Sequence, residues 1–205
     1  MNKHVTVIKE VMRTFDKEYK EKMEKYKVDE KEIRETYQQS RALPLLDELK
    51  VKLDNEIQEI RNKAKECCES QFNNLKELID EIIMQKPSND FMDTLQIIKL
   101  LGDKISKTEV EAFIEKYKNN YLEIRILITV LKDNQYVKIG VIASDDILAS
   151  IDEMESNINN CFNNPNSYQY LAMLTEVGTL EKFDEYITPF INKKFIYNKE
   201  EMFFR

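Results

Sequence analysis

The stretch Leu45–Met84, LLDELKVKLDNEIQEIRNKAKECCESQFNNLKELIDEIIM, decides the fold of this chain. Its apolar or small residues recur at steps of three and four: Leu46, Leu49, Leu53, Ile57, Ile60, Ala64, Cys67, Leu75, Leu78 and Ile82. The pattern is interrupted by the polar Gln71, and the stretch contains neither glycine nor proline. Such a period predicts an α-helix, because a strand would alternate at every second residue. A helix of about 40 residues would be about 60 Å long. A small globular core cannot cover that length, so the stripe needs a second helix beside it.

A second stripe with the same spacing lies N-terminal to the first, within residues 3–39. Between the two stripes, Pro44 disfavours helix at the residue before it and suits the first turn of the next helix. We therefore expect the connection at Ser40–Pro44 and an antiparallel helical hairpin around it. The residues expected to pair across the hairpin are Ile8, Phe15, Tyr19, Leu53, Ile57, Ile60 and Leu75. The alternative is that these stripes pair with a second chain, which would make a homo-oligomer through this arm.

The pattern changes after Lys86, where shorter apolar segments alternate with turns. Helix-capping patterns stand at Asn89 or Asp90 and at Ser106, and the nearly all-apolar segment 121–132 predicts a buried central helix. Residues 136–142 are rich in β-formers, but no partner strand is evident, so the run is either a strand or an extended connector. The predicted fold is all-α: a long N-terminal antiparallel helical hairpin, coiled-coil-like, over residues 1–86, followed by a compact bundle of short helices with an apolar tail over residues 87–205.

The charge of the chain limits the classes of partner that it can bind. The 205 residues carry 31 basic and 38 acidic side chains, a net charge of −7. Residues 1–86 hold 18 basic and 19 acidic side chains, and the remaining 119 residues hold 13 and 19. Neither part offers the basic face that binds phosphate groups, which disfavours nucleic acid as a partner.

The sequence also predicts a reduced, cytoplasmic protein. Its three cysteines have no disulfide-framework spacing, since Cys67 and Cys68 are adjacent and Cys161 is distant. No apolar run reaches the roughly 18 residues of a membrane span, and the N-terminus lacks a signal-peptide core. We therefore expect no association with a membrane.

Residue types that carry catalysis or bind metals are poorly represented. His4 is the only histidine, and the adjacent pair Cys67 and Cys68 lacks the spacing of a metal site. The acidic pair Asp145 and Asp146 fits the cap of a helix better than acid–base work. Glu153 and Glu155 form a second acidic pair without a catalytic partner nearby in sequence. We predict no catalytic residue, no metal ligand and no cofactor, and hence a protein that is not an enzyme.

The C-terminal segment 195–205 is unusually apolar for a terminus. The candidate residues for binding a protein partner are Phe195, Tyr197, Met202, Phe203 and Phe204. Exposed apolar clusters near a mobile terminus often mark contact surfaces. The alternative is that these aromatic side chains fold back onto the bundle.

The segment EKYKNNYLEIR, Glu115–Arg125, follows a long charged helical arm. With that layout, the chain resembles small helical proteins encoded among the virion-assembly genes of tailed bacteriophages and prophages of Gram-positive bacteria. The resemblance implies a non-enzymatic role in assembly or interaction, scaffold-like or chaperone-like, with virion proteins as the partners. It implies a location in the cytoplasm of the host cell or in association with the virion. It assigns no functional residue.

The sequence thus favours a phage-encoded helical interaction protein whose arm and bundle present separate contact surfaces. A second hypothesis is a phage-encoded inhibitor, in which the acidic C-terminal part blocks the basic groove of a host nucleic-acid-binding machine. The two hypotheses differ in the partner that the purified protein would capture: virion proteins in the first case, a host nuclease or polymerase in the second.

Overall fold

The computed structural model describes residues 1–174 and 178–199, and most of them lie in α-helices. The helices are α1 (Lys3–Thr36), α2 (Gln39–Ile83), α3 (Phe91–Leu101), α4 (Lys107–Tyr117), α5 (Tyr121–Val130), α6 (Ser144–Asn163), α7 (Tyr168–Leu174) and α8 (Thr179–Ile191). One turn of 3-10 helix (Gly102–Lys104) and two short strands, β1 (Ile139–Val141) and β2 (Ile196–Asn198), complete the regular structure of the described residues. The predicted all-α fold is confirmed. No helix in residues 1–174 and 178–199 is long and apolar enough to cross a membrane.

Helices α1 and α2 pack together as an antiparallel hairpin within one chain, as predicted. Near its base, His4 Nδ1 lies 2.8 Å from Gln71 Oε1. Further along, Lys22 Nζ lies 2.8 Å from Glu56 Oε2. This ion pair holds the pKa of Lys22 above its usual range and that of Glu56 below it, through the hydrogen bond between them. The residues that pair therefore run in opposite directions along the two helices.

The predicted connection at Ser40–Pro44 is wrong, because α2 already begins at Gln39. Tyr37 takes an extended backbone conformation that ends α1, and Gln38 completes a two-residue connection. Pro44 lies inside α2, close to its start. A proline there removes one hydrogen bond, to the carbonyl of Ser40, which the beginning of a long helix tolerates better than its interior does.

Contacts divide the chain into two compact units. Unit 1 comprises Met1–Asn74 and Asp152–Asp184, and unit 2 comprises Leu75–Ile151 and the described residues from Glu185 onward. Helices α2, α6 and α8 each contribute residues to both units. These units interleave along the sequence, unlike the consecutive segments 1–86 and 87–205 that we expected. Whether those two segments fold as separate domains stays a prediction.

The core of unit 1 is built around Phe15 in α1. Its ring meets Phe162 edge-to-face with 5.0 Å between ring centroids, and Tyr170 at 6.2 Å. The Tyr170 hydroxyl donates to the carbonyl oxygen of Met12 at 2.9 Å. Burial raises the pKa of Tyr170, and the neighbouring Asp16 carboxylate raises it further. The hydroxyl thus stays protonated and remains a donor to this carbonyl.

The buried stripe of α2 departs from the predicted one after Ala64. The structure buries Cys68, Phe72, Leu75 and Ile79, whereas Cys67 and Leu78 are only half-buried. The buried positions average close to 3.6 residues apart, the period of a straight helix. Gln71, the apparent interruption, lies beside this stripe and bonds His4. The predicted stripe therefore includes Leu75 and Ile82, which are buried, but it places Cys67 and Leu78 where the structure buries Cys68, Phe72 and Ile79.

Unit 2 confirms several sequence-based predictions of local structure. Ser106 and Glu109 form a capping box at the start of α4, and Gly102 follows α3 with a φ of 52°. The loop before α3 is held by α5: Asn120 Nδ2 donates to Lys86 O at 3.0 Å, and Ser88 Oγ donates to the buried carboxylate of Glu123 at 2.6 Å. The amide of Ser88 also donates to Glu123.

Of the two alternatives for residues 136–142, the structure shows the strand. Residues Ile139–Val141 form β1, which pairs antiparallel with β2 in the register Ile139↔Asn198, Gly140↔Tyr197 and Val141↔Ile196. The partner strand comes from the apolar tail, about 55 residues later in the chain. A sequence pattern reveals a strand pair most readily when a short turn joins the strands, and this pair has no such turn.

We predict that Ile128→Asp destabilises unit 2 strongly. Ile128 is buried in α5, and an uncompensated charge at a buried position costs about 3–5 kcal/mol. Val130→Asp is the matched control, because Val130 belongs to the same helix and is 42% exposed. The control should lower the free energy of unfolding by less than about 1 kcal/mol. Urea unfolding followed by circular dichroism measures both values, and equal losses would show that α5 is not a core helix.

Candidate functional site

A surface cleft in unit 2 is the candidate site. It is formed by the end of β1, the start of α6, the second half of α8, and β2. Its volume is about 550 Å³. The lining residues are Val141, Ile142, Ala143, Asp146, Glu185, Tyr186, Pro189 and Tyr197. Four of these eight are aliphatic or proline residues, and two others are tyrosines, so the cleft is mainly apolar.

Buried hydrogen bonds fix the wall of the cleft between β1 and α6. The amide of Ser144, the first residue of α6, donates to the buried hydroxyl of Tyr121 at 2.9 Å. The amide of Ile142 donates to the carbonyl of Phe195 at 2.8 Å, which extends the β1–β2 ladder by one residue. This wall is therefore held from two directions.

A tight turn after α8 brings β2 to the cleft. Lys193 adopts a φ of 59°, and the amide of Lys194 donates to the carbonyl of Pro189 at 2.8 Å. Such turns satisfy carbonyl groups that the end of a helix leaves unpaired. The chain then enters β2 with Phe195 directed back towards α8.

Phe195 is a core residue and not a surface for a partner. The sequence predicts it as a partner-binding candidate, but none of its side-chain surface is exposed. Its ring lies 5.1 Å from the ring of Phe190 and 5.3 Å from that of Tyr121, centroid to centroid, and these two rings lie 4.9 Å apart. For this residue the alternative, folding back onto the bundle, describes the structure. The pattern of apolar residues could not distinguish the two, because both place an aromatic side chain there.

Tyr197 lies at the cleft, where it is half-buried. Its ring crosses Gly140 in the opposite strand so closely that a Cβ atom on Gly140 would lie 2.3 Å from the ring. Glycine at this position lets the tyrosine lie flat over β1.

The other three candidates for partner binding, Met202, Phe203 and Phe204, lie outside the described residues, and their role stays a prediction.

The polar groups of the cleft are mostly acidic. Asp146 and Glu185 are exposed beside Tyr186, which is itself 46% exposed. Partial burial raises the pKa of Tyr186, and the Asp146 carboxylate raises it further. Tyr186 therefore keeps its proton and can donate a hydrogen bond. The sequence analysis missed Tyr186 and Pro189, although both interrupt the polar surface of α8.

The side chains considered for catalysis or metal binding have structural roles. His4 bonds Gln71 in the hairpin, and Asp145 and Asp146 lie in the first turn of α6. Burial raises the pKa of Cys68 to about 12 and also raises that of Cys161, which keeps both as neutral thiols. Among the described residues, no group of three or more histidine, cysteine or acidic side chains could hold a metal ion.

The residues predicted to pair across the hairpin are buried or half-buried in the structure. Ile8, Phe15 and Leu75 are buried. The other four, Tyr19, Leu53, Ile57 and Ile60, are half-buried. For Tyr19, Leu53 and Ile57 this difference follows position along the hairpin, because the helices of residues 152–184 cover only its base. Ile60 lies at the base but lines a groove on the side that these helices do not cover.

Comparison with protein-family models, with curated proteins and with solved structures found no match to this chain.

We predict that Phe195→Ala lowers the free energy of unfolding by about 3–5 kcal/mol, the usual cost of truncating a buried phenylalanine. Tyr168→Ala is the control, because that aromatic side chain is 88% exposed. It should change stability by less than about 0.5 kcal/mol. Urea unfolding of both variants tests this. A Phe195→Ala protein as stable as the control would return Phe195 to the candidates for partner binding.

Proposed function

We propose that this protein is a non-enzymatic helical interaction protein, in which the cleft of unit 2 binds a segment of a protein partner. The observation that carries the proposal is the combination of an apolar cleft with an exposed aromatic residue, Tyr186, at its edge. Aromatic residues are enriched where proteins contact each other, and apolar surface open to solvent often marks such a contact.

The acidic rim indicates the chemistry of the partner. Asp146 and Glu185 stand at the edge of the apolar lining, and no lysine or arginine among the described residues lines the cleft. Charge complementarity between two surfaces selects partners and speeds their encounter. The segment that fits would therefore carry apolar side chains followed or preceded by a lysine or arginine. Tyr186 would contribute its ring and a hydrogen bond to a backbone carbonyl of that segment.

The apolar tail is part of this proposal. Tyr197 lines the cleft, and the chain continues after β2 to Met202, Phe203 and Phe204. These three side chains would add contact area to the same partner. The resemblance of the layout and of segment 115–125 to phage assembly proteins supports virion proteins as the partners, with a scaffold-like or chaperone-like role in the cytoplasm of the host cell.

A charge reversal at the rim tests the proposal, with a neighbouring residue as the control. Asp146 and Asp145 are both exposed acidic residues in the first turn of α6, but only Asp146 lines the cleft. The favourable interaction of an acidic residue with the helix N-terminus is lost in both Asp146→Lys and Asp145→Lys. Only Asp146→Lys changes the charge of the cleft.

The measurement is affinity capture by the three purified proteins from cells that carry the gene, followed by mass spectrometry. We expect wild type and Asp145→Lys to capture virion proteins, and Asp146→Lys to lose at least about 90% of the captured amount, since repulsive charges at an interface cost several kcal/mol. Equal capture by all three proteins would reject the cleft as the site. Capture of a host nuclease or polymerase would favour the acidic inhibitor instead.

A further inference from the structure

One face of the hairpin is uncovered within the described part of unit 1. On the covered side, Arg61 Nε donates to the carbonyl of Phe162 at 3.0 Å and Lys65 Nζ donates to Asn163 Oδ1 at 3.0 Å. On the other side, a groove runs between α1 and α2 with a volume of about 380 Å³. Its uncharged lining includes Val7, Val11, Thr14, Ile60, Ala64 and Cys67. We call this side of the hairpin the open face.

The open face continues beyond this groove towards the tip of the hairpin. Lys22, Lys25 and Asp29 follow Glu18 on α1 at helical spacing, and with Lys52 and Glu56 on α2 they line a shallower groove. We distinguish a base half, the described residues of 7–18 and 60–67 that line the first groove, from a tip half, the described residues of 22–29 and 49–56 that line the second groove.

The two halves carry opposite excess charge. In the base half, Glu10 and Glu18 stand at the rim, and the one lysine, Lys63, pairs with Glu59 at 2.6 Å. Neither Glu10 nor Glu18 forms an ion pair with a described residue.

The tip half has three lysines and two acidic residues. Lys22 and Glu56 neutralise each other at 2.8 Å. Lys25 and Lys52 form no ion pair within the described part of the chain, and Asp29 offsets only one of them. The base half is therefore acidic, and the tip half is basic.

We propose that the open face binds a second copy of this chain in antiparallel orientation, forming a four-helix bundle from two hairpins. A two-fold axis across the middle of the face places the acidic base half of each copy against the basic tip half of the other. The contact is isologous, so it closes on itself as a dimer. Val7, Val11 and Ile60, which are half-buried in one chain, are covered by the second copy in this arrangement.

The size of the face is sufficient for such a dimer. Residues 7 and 29 of α1 are about 33 Å apart at 1.5 Å per residue, and two adjacent helices are about 20 Å wide. Each copy thus offers roughly 650 Å², and two copies would bury roughly 1,300 Å². That lies at the lower end of the range for specific protein interfaces, about 1,200–2,000 Å². This proposal is independent of the cleft in unit 2, and purified protein alone tests it.

The first arm of the test changes an apolar residue of the open face. Sedimentation velocity should show wild type as a dimer of the 24.4 kDa chain at micromolar concentration. Val11→Lys should sediment as a monomer, because it adds a positive charge to the base half, which faces the basic tip half of the other copy. Val28→Lys should remain a dimer, because Val28 is a valine of α1 that is 65% exposed and lies outside both grooves. Circular dichroism of each variant checks that the helices are retained.

The second arm reverses charges. A tip variant, Lys25→Glu with Lys52→Glu, and a base variant, Glu10→Lys with Glu18→Lys, should each be monomeric because like charges then face each other. An equimolar mixture should form heterodimers, since each acidic half meets a basic half again, and native mass spectrometry identifies them. A monomeric wild type, equal behaviour of Val11→Lys and Val28→Lys, or the absence of heterodimers in the mixture would overturn the proposal.

Discussion

The contact between Phe15 and Phe162, edge-to-face at 5.0 Å, joins the hairpin to the helices that return to it in unit 1. Two packed helices bury only the sides that face each other. A hairpin alone therefore leaves most of its apolar stripe exposed to solvent. Around Phe15 the stripe gains a third layer, and there Ile8, Met12 and Phe15 are almost completely buried. The stability of unit 1 depends on this region.

Polar contacts reinforce the same region. The amide of Asn2 donates to Asp184 at 2.7 Å, and the half-exposed Glu181 pairs with the buried Lys9. Burial acts most strongly, and against ionisation of Glu181, but the hydrogen bond from Lys9, two backbone hydrogen bonds and the charge of Lys9 together outweigh it and hold the pKa of Glu181 below its usual range. Removing one partner would leave a charge in a poorly solvated place, so the pair fixes the position of α8 on α1 more than it adds stability.

The distal part of the hairpin has no third layer among the described residues, and its interactions are weaker. Tyr19, Leu53 and Ile57 are half-buried there, and ion pairs such as Lys20–Asp16 and Arg34–Glu30 lie along the surface of α1. Exposed pairs of this kind contribute only about 0.3–0.5 kcal/mol each. Because this stripe is only half-buried in one chain, it is the surface on which the binding of a second copy would bury the most additional apolar area.

The sequence was sufficient to predict the helices. It was insufficient to predict the contacts between segments that are distant in the chain. Helical period, the capping box at Ser106 and the glycine at residue 102 act locally, so they can be recognised within a few residues. The pairing of β1 with β2 and the burial of Phe195 depend on contacts across more than 50 residues. The cleft depends on both, because β2 forms one of its walls. Tyr197 could therefore be named as a candidate, but its neighbours Tyr186 and Asp146 could not.

Hydrogen exchange along α1 tests most directly whether the hairpin is anchored at its base. Measured by mass spectrometry at the lowest usable protein concentration, amides of residues 8–15 should exchange at least about 100-fold more slowly than those of residues 22–33. The base opens only when the core around Phe15 opens, whereas the distal turns can open locally. Equal protection along the whole of α1 would contradict this account, because the pairing of α1 with α2 alone would then stabilise the hairpin.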